Sequence, residues 1–119
     1  MITEDYVSFE TAKLLKEKGF NEDSWFHYDT DGYIVARGYR LNHPDDIPAW
    51  TLQMAMKWLR KEKRIFIAIC HCTYPREREV TWIPEISTFD SVFPDSAIEY
   101  DTYEEACDAA IKYCLENLI

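Results

Sequence analysis

Glycine is scarce. Gly19, Gly32 and Gly38 are the only three in 119 residues, and this leaves several kinds of site with no place to form. A P-loop and a G-x-G-x-x-G dinucleotide turn both need glycines at fixed spacing, so that backbone N–H groups can approach phosphates. Neither can be written with these three, and no G-x-S-x-G nucleophile elbow exists. Long apolar runs are missing as well. The longest, Ile65–Cys70, falls far short of the ~20 residues that a membrane-spanning helix requires. The opening MITEDYVSFE lacks the basic and apolar regions of a secretory signal, so a soluble, cytoplasmic protein with reduced cysteines is expected.

Basic charge is also in short supply. Thirteen Lys and Arg face 22 Asp and Glu, a formal net charge of −9. Nucleic-acid binding rests on neutralising phosphates with Lys and Arg, so direct binding to DNA or RNA is disfavoured. The shortage is uneven. Residues 57–78 hold seven basic residues against two acidic ones, a local balance of +5, whereas the remainder holds six against twenty, or −14. Lys57, Arg60, Lys61, Arg76 and Arg78 are therefore the candidate interaction surface, an electrostatic docking face for a protein partner. The plainer alternative is a solvated helix end followed by a charged turn.

What the chain does have is apolar and aromatic mass. Hydrophobic residues make up 47% and aromatics 15%, enough for a core, and the length fits a single domain over 1–119. Segment 8–20 reads as a helix capped by Ser8, with Phe9, Ala12 and Leu15 on one face and Gly19 just past its end. In 25–39, two aromatic and β-branched runs flank Asp31-Gly32, a hairpin signal. Segment 49–63 is a second helix, with Pro48 near its start and Leu52, Ala55, Met56 and Leu59 as its stripe. Segments 64–73 and 79–86 pair as strands across a charged turn. A polar stretch from Ser87 to Asp101 follows, with a short extra strand expected around Ala97–Tyr100.

Thr102 and Glu105 have capping-box spacing and open a last helix. Its apolar side carries Ala106, Ala110, Tyr113, Cys114 and Leu118. The order is α-ββ-α-ββ-α. Residues 65–70 are apolar on both faces, as in a strand covered from both sides. The expected architecture is thus α+β, an antiparallel four-stranded sheet with helices on both faces, in preference to an open two-layer sheet.

Candidate chemistry is thin. Alternate strand residues face opposite ways and lie nearly 7 Å apart, whereas two thiolates on one zinc sit under about 4 Å apart. Cys70 and Cys72 therefore share a face with Phe66, His71 faces the other way, and the trio reads as strand. Cys107 and Cys114 fall in the apolar stripe of the last helix as small hydrophobes. Asp29-Thr30-Asp31-Gly32 imitates a calcium loop, but the register puts His27 first and Gly38 twelfth, so it reads as a turn. Asp45-Asp46 reads as a turn pair, and nothing in the sequence brings His27, His43 and His71 together. Trp58 and Trp82 are placed in the core, with Trp50 and Trp25 nearer element ends and partly exposed. No catalytic, cofactor-binding or metal-binding residue is assigned, and no cofactor is expected.

Three stretches carry a resemblance: SFETAKLLKEKGF at 8–20, QMAMKWLR at 53–60 and YEEACDAAIKYCLENLI at 103–119. They resemble small proteins of gut Bacteroidales bacteria and of their phages and integrated elements. The layout of the last two-thirds is similar to the phage α-β-α sandwich domain, although the stretch 87–101 is longer than that layout implies. The resemblance implies a phage or mobile-element origin and carries no activity with it. The function expected is that of a non-enzymatic accessory protein acting through a protein partner. Two alternatives stay open. One is an acidic nucleic-acid mimic that inhibits a defence or DNA-processing protein. The other is an enzyme or metal-binding protein whose site is built from residues distant in sequence.

Overall fold

Each of the three helices begins on a hydroxyl residue. Ser8, Thr51 and Thr102 stand in extended backbone, and each side-chain oxygen accepts the amide of the residue three further on. They open α1 (Phe9–Glu17), α2 (Leu52–Glu62) and α3 (Tyr103–Asn117). The computed structural model describes residues 4–36, 47–93 (Phe93 by its backbone alone) and 98–119. Gly38, His43, Asp45, Asp46 and Ala97, which the sequence singles out, lie outside the described residues, as do positions 37–39 of the expected hairpin.

Helix α1 ends as the sequence implies, with Gly19 at φ 98° just beyond it. Helix α2 ends in the same way without a glycine. Arg64 takes the left-handed position at φ 56°, and the Ile65 amide donates back to the Leu59 carbonyl at 3.0 Å. Pro48 does not start α2. It lies in a two-residue strand three positions upstream of the Thr51 cap, where its missing N–H costs no helix bond.

The α+β class holds, but the strands do not form one four-stranded sheet. Strands β1 (Phe26–Tyr28), β2 (Ile34–Ala36) and β3 (Ile47–Pro48) make one antiparallel sheet in the order β2-β1-β3. Strands β4 (Phe66–Tyr74), β5 (Glu79–Ser87) and β6 (Val92–Phe93) make another in the order β4-β5-β6. Both edges of β1 are occupied, and β3 is a two-residue strand with a proline that cannot donate to a ladder. Of the short strand expected around 97–100, the described residues show only a single bridge from Tyr100 to Trp82, and the third strand of this sheet, Val92–Phe93, is one the sequence did not signal.

The β4–β5 hairpin pairs nine residues of each strand, from Phe66↔Ser87 to Tyr74↔Glu79. Its side chains alternate between two faces. Ile67, Ile69 and Ile86 point into the main core with Leu52, Leu59, Ile111 and Leu115, beneath α2 and α3. On the opposite face Ala68, Cys70, Tyr74 and Glu85 are exposed, and no described helix lies over it. The expectation of helices on both faces is thus corrected. A strand apolar on both faces here marks an open surface, not a covered one.

Trp50 is the other correction. It is fully buried, T-stacked on Phe20 at 4.6 Å, and its indole N–H donates to the Glu22 carbonyl at 2.7 Å. Trp58 and Trp82 are half-buried, and Trp25 is half-exposed.

Candidate interaction surface

The five sequence-picked cations do not form one patch. Lys57, Arg60 and Lys61 lie on the exposed side of α2, whereas Arg76 and Arg78 lie in the turn between β4 and β5. The nine residues of β4, about 30 Å at strand rise, stand between the two groups. Lys57 and Lys61 flank a shallow groove of about 350 Å³ over Phe20, Met54 and Trp58. Glu22 and Glu62 line the same groove, so its rim carries both signs. Lys63 lies over the Trp58 ring at 5.4 Å, a cation–π contact.

The open face of the second sheet was not legible as a site, yet exposed apolar side chains lie at one end of it. Phe66 on β4 packs edge-on against Phe89 at 5.5 Å, and Phe89 itself is 78% exposed. Val92 on β6 pairs beside Ser87, itself opposite Phe66, and is 66% exposed. Ile83, half-buried, lies further along the same face opposite Cys70, past the exposed Glu85. Alternation of faces along residues 66–70 was the available signal. It implies cover on both sides, but sequence does not say which face receives a helix.

The far end of this face is polar. Tyr74 donates to the Glu99 carboxylate, and Thr81 donates to the same oxygen at 2.9 Å. These two donors hold the Glu99 carboxyl below its ordinary range, while the Glu99 carboxylate, first among its neighbours, pushes the Tyr74 phenol up. Cys70 and Cys72 share the face, as their spacing implies. Desolvation and then the Glu85 carboxylate raise the Cys70 thiol, so it is a poor thiolate at neutral pH. His71 faces the other way, edge-on to Trp82 at 6.1 Å. Among the described residues no three His, Cys, Asp or Glu side chains gather as a metal would need.

Asp29 also plays a local part. Its side chain accepts the amides of Asp31 and Tyr33, both at 2.9 Å, and closes the turn before β2. His27 is buried, with Nε2 2.8 Å from the Ser24 carbonyl.

The outer edge of β4 completes the surface. Among the described residues no strand pairs with it. Protein edge strands are ordinarily blunted by charge, proline or a bulge. The segment Ile65–Tyr74 carries no formally charged side chain and no proline, and its pairing with β5 runs without a bulge.

Comparison with known proteins gives no relative. No family model matches the chain, and no curated protein or solved structure matches it either.

Proposed function

We propose that this is a small non-enzymatic accessory protein, of phage or mobile-element origin, that works by binding another protein. The observation that carries the reading is the uncovered face of the second sheet. There Phe89 and Val92, in the segment that follows β5, stand in solvent beside the half-buried Phe66 of β4 instead of contributing to the core. Contiguous exposed apolar surface on a small domain marks a contact site. Aromatic anchors at such a site carry most of the binding energy of an interface. The likeness of the helical segments to the Bacteroidales phage group supports the origin.

The test is a partner captured by cross-linking, purified and bound again to the isolated chain. Phe89→Asp combined with Val92→Asp is expected to weaken that binding at least about ten-fold. Lys13→Glu, on the exposed side of α1, should leave it unchanged. Equal loss from both variants, or no saturable binding by any purified partner, would sink the reading.

A further inference from the structure

We infer that a second copy of this chain pairs antiparallel along the outer edge of β4, so that two three-stranded sheets become one of six strands. This edge lies away from β5 and β6, so the contact is separate from the Phe89 and Val92 surface proposed above. An unpaired strand edge offers a row of backbone donors and acceptors that an added strand can complete. β4 has nine regular residues and none of the usual guards of charge, proline or bulge.

The ladder shows which backbone groups of β4 are free. Trp82 exchanges both of its backbone hydrogen bonds with Tyr100, at 2.9 and 2.8 Å, and so turns them away from β4. His71, opposite Trp82, therefore stands in a non-hydrogen-bonded pair and turns its own N–H and C=O outward. By alternation Ile67, Ile69 and Thr73 do the same, whereas the even-numbered residues of β4 bond to β5. Pairing β4 with its copy about Cys70 sets Ile67 against Thr73 and Ile69 against His71. Every outward N–H and C=O of the strand then finds a partner. A shift of two residues, which keeps the faces, fails at one end or the other. One direction sets Thr73 against Ile65, whose amide is already bonded to the Leu59 carbonyl at 3.0 Å. The other sets Ile67 against Pro75, which has no N–H.

The side chains of this register suit a second copy. On the open face Phe66 lies across from Tyr74 of the other copy, twice by symmetry, and aromatic pairs directly opposite stabilise antiparallel strands. Ala68 meets Cys72 and Cys70 meets its own counterpart, all small. No charged side chain lies in the paired stretch. Where the ends meet, Lys63 is set against Glu77 and Glu62 against Arg78, with Arg64 against Arg76 as the one like-charged pair among them.

Sedimentation velocity over a range of concentrations should show a monomer–dimer equilibrium. Residue-resolved amide exchange is expected to slow at Ile67, Ile69, His71 and Thr73 as the dimer fills, while Ala68, Cys70 and Cys72 are slow in monomer and dimer alike. Cys70 faces its counterpart at about 4.5 Å between Cα atoms, within the span of a disulfide. Diamide, which takes up the two thiol hydrogens, should therefore join Cys70 to Cys70 and leave Cys72 unlinked. Cys70→Lys sets two ammonium groups against each other across the axis and should raise the dimer dissociation constant at least about ten-fold. Thr73→Pro removes an outward N–H that its own sheet does not use, and should weaken the dimer as well. Cys70 and Thr73 are exposed in the single chain, so the unfolding midpoint of each variant, measured below the dimer range, should stay near that of the parent.

The inference is overturned by a chain that stays monomeric at every concentration, by a dimer whose four outward amides still exchange fast, by a disulfide through Cys72 in place of Cys70, or by a dimer undiminished by either variant. Protection of the same four amides only when a captured protein is added would also overturn it, in favour of that protein. Phe89→Asp with Val92→Asp should leave the dimer intact, and its loss there would count against the edge. The proposed function fails separately, when that double variant leaves partner binding intact.

Discussion

Trp50 joins the α1 end of the molecule to the start of α2 through one side chain. Its ring fills the space beside Phe20, and its indole N–H is satisfied by the Glu22 carbonyl. Trp50→Phe removes the hydrogen bond and opens a cavity at a site with no exposure, at a cost of about 3 kcal/mol. Equilibrium unfolding in urea, followed by far-UV circular dichroism, measures it, and a loss below about 1 kcal/mol would show that the site collapses around the smaller ring. The sequence placed Trp50 near an element end, and it is indeed just before α2. What sequence could not supply is that the Val7 N–H donates to the Trp50 carbonyl at 2.9 Å and ties the N-terminal segment to this residue. The cysteines were more legible, because strand and helix periodicity alone assign their faces. Cys107 and Cys114 are fully buried, whereas Cys70 is exposed. A thiol reagent at neutral pH should therefore modify Cys70 in the folded protein and reach Cys107 and Cys114 only on unfolding. Mass spectrometry of the modified chain checks the order, and early modification of Cys114 would contradict the packing.

At the scale of elements, the contact between α1 and α3 is made by a polar clasp. The Ser8 amide donates to one oxygen of Asp108 at 2.8 Å, and the buried Thr11 hydroxyl donates to the other at 3.1 Å. Ser8 Oγ is at the same time the cap of α1, so one carboxylate on α3 fixes both the position and the first turn of α1. Nearby, Tyr28 donates to the Val7 carbonyl and ties β1 to the same corner. Asp108→Ala leaves the Thr11 hydroxyl with one partner fewer in a buried setting and should cost about 2 kcal/mol. Asp108→Asn, which keeps one acceptor, should cost less. Thermal denaturation of the two variants measures the difference, and equal losses would mean that the charge, not the hydrogen bonds, matters. Ser8 and Thr102 are readable as helix starts because capping is a local rule, whereas Thr51 is passed over in favour of Pro48. The asymmetry of Gly19 and Arg64 was not, since sequence reasoning looks for glycine at a helix end and passes over an arginine that takes the same backbone. The strand β3 and the clasp at Asp108 were missed for one reason. Each depends on a partner far along the chain, β1 for the first and α1, 97 residues away from Asp108, for the second.

For the molecule as a whole, α3 is the element that joins the rest, since it packs against α1, α2, β4 and β5. Its buried stripe includes Cys107 and Cys114, and this makes the whole fold sensitive to alkali. Burial pushes the Cys107 thiol up from 9.0 to about 11 and the Cys114 thiol from 9.0 to about 12. Burial, followed by the Asp108 charge, pushes the Tyr28 phenol up from 10.0 to about 12. All three groups have folded values above their unfolded ones. Their contribution to stability is thus complete below about pH 9, where both states are protonated. As the pH rises the unfolded chain releases these protons first, and the fold loses stability until the pH passes the folded values. Each buried thiol should account for on the order of 2 kcal/mol of loss between about pH 9 and 11. Urea denaturation in reducing buffer from about pH 8 to 11 should show a steadily falling midpoint. Cys107→Ala with Cys114→Ala lowers stability at every pH through lost packing, but its curve against pH should be flatter than that of the parent chain. Parallel curves would mean that the two thiols ionise as readily inside α3 as in water, and the packing of α3 against the second sheet would then have to be looser than described.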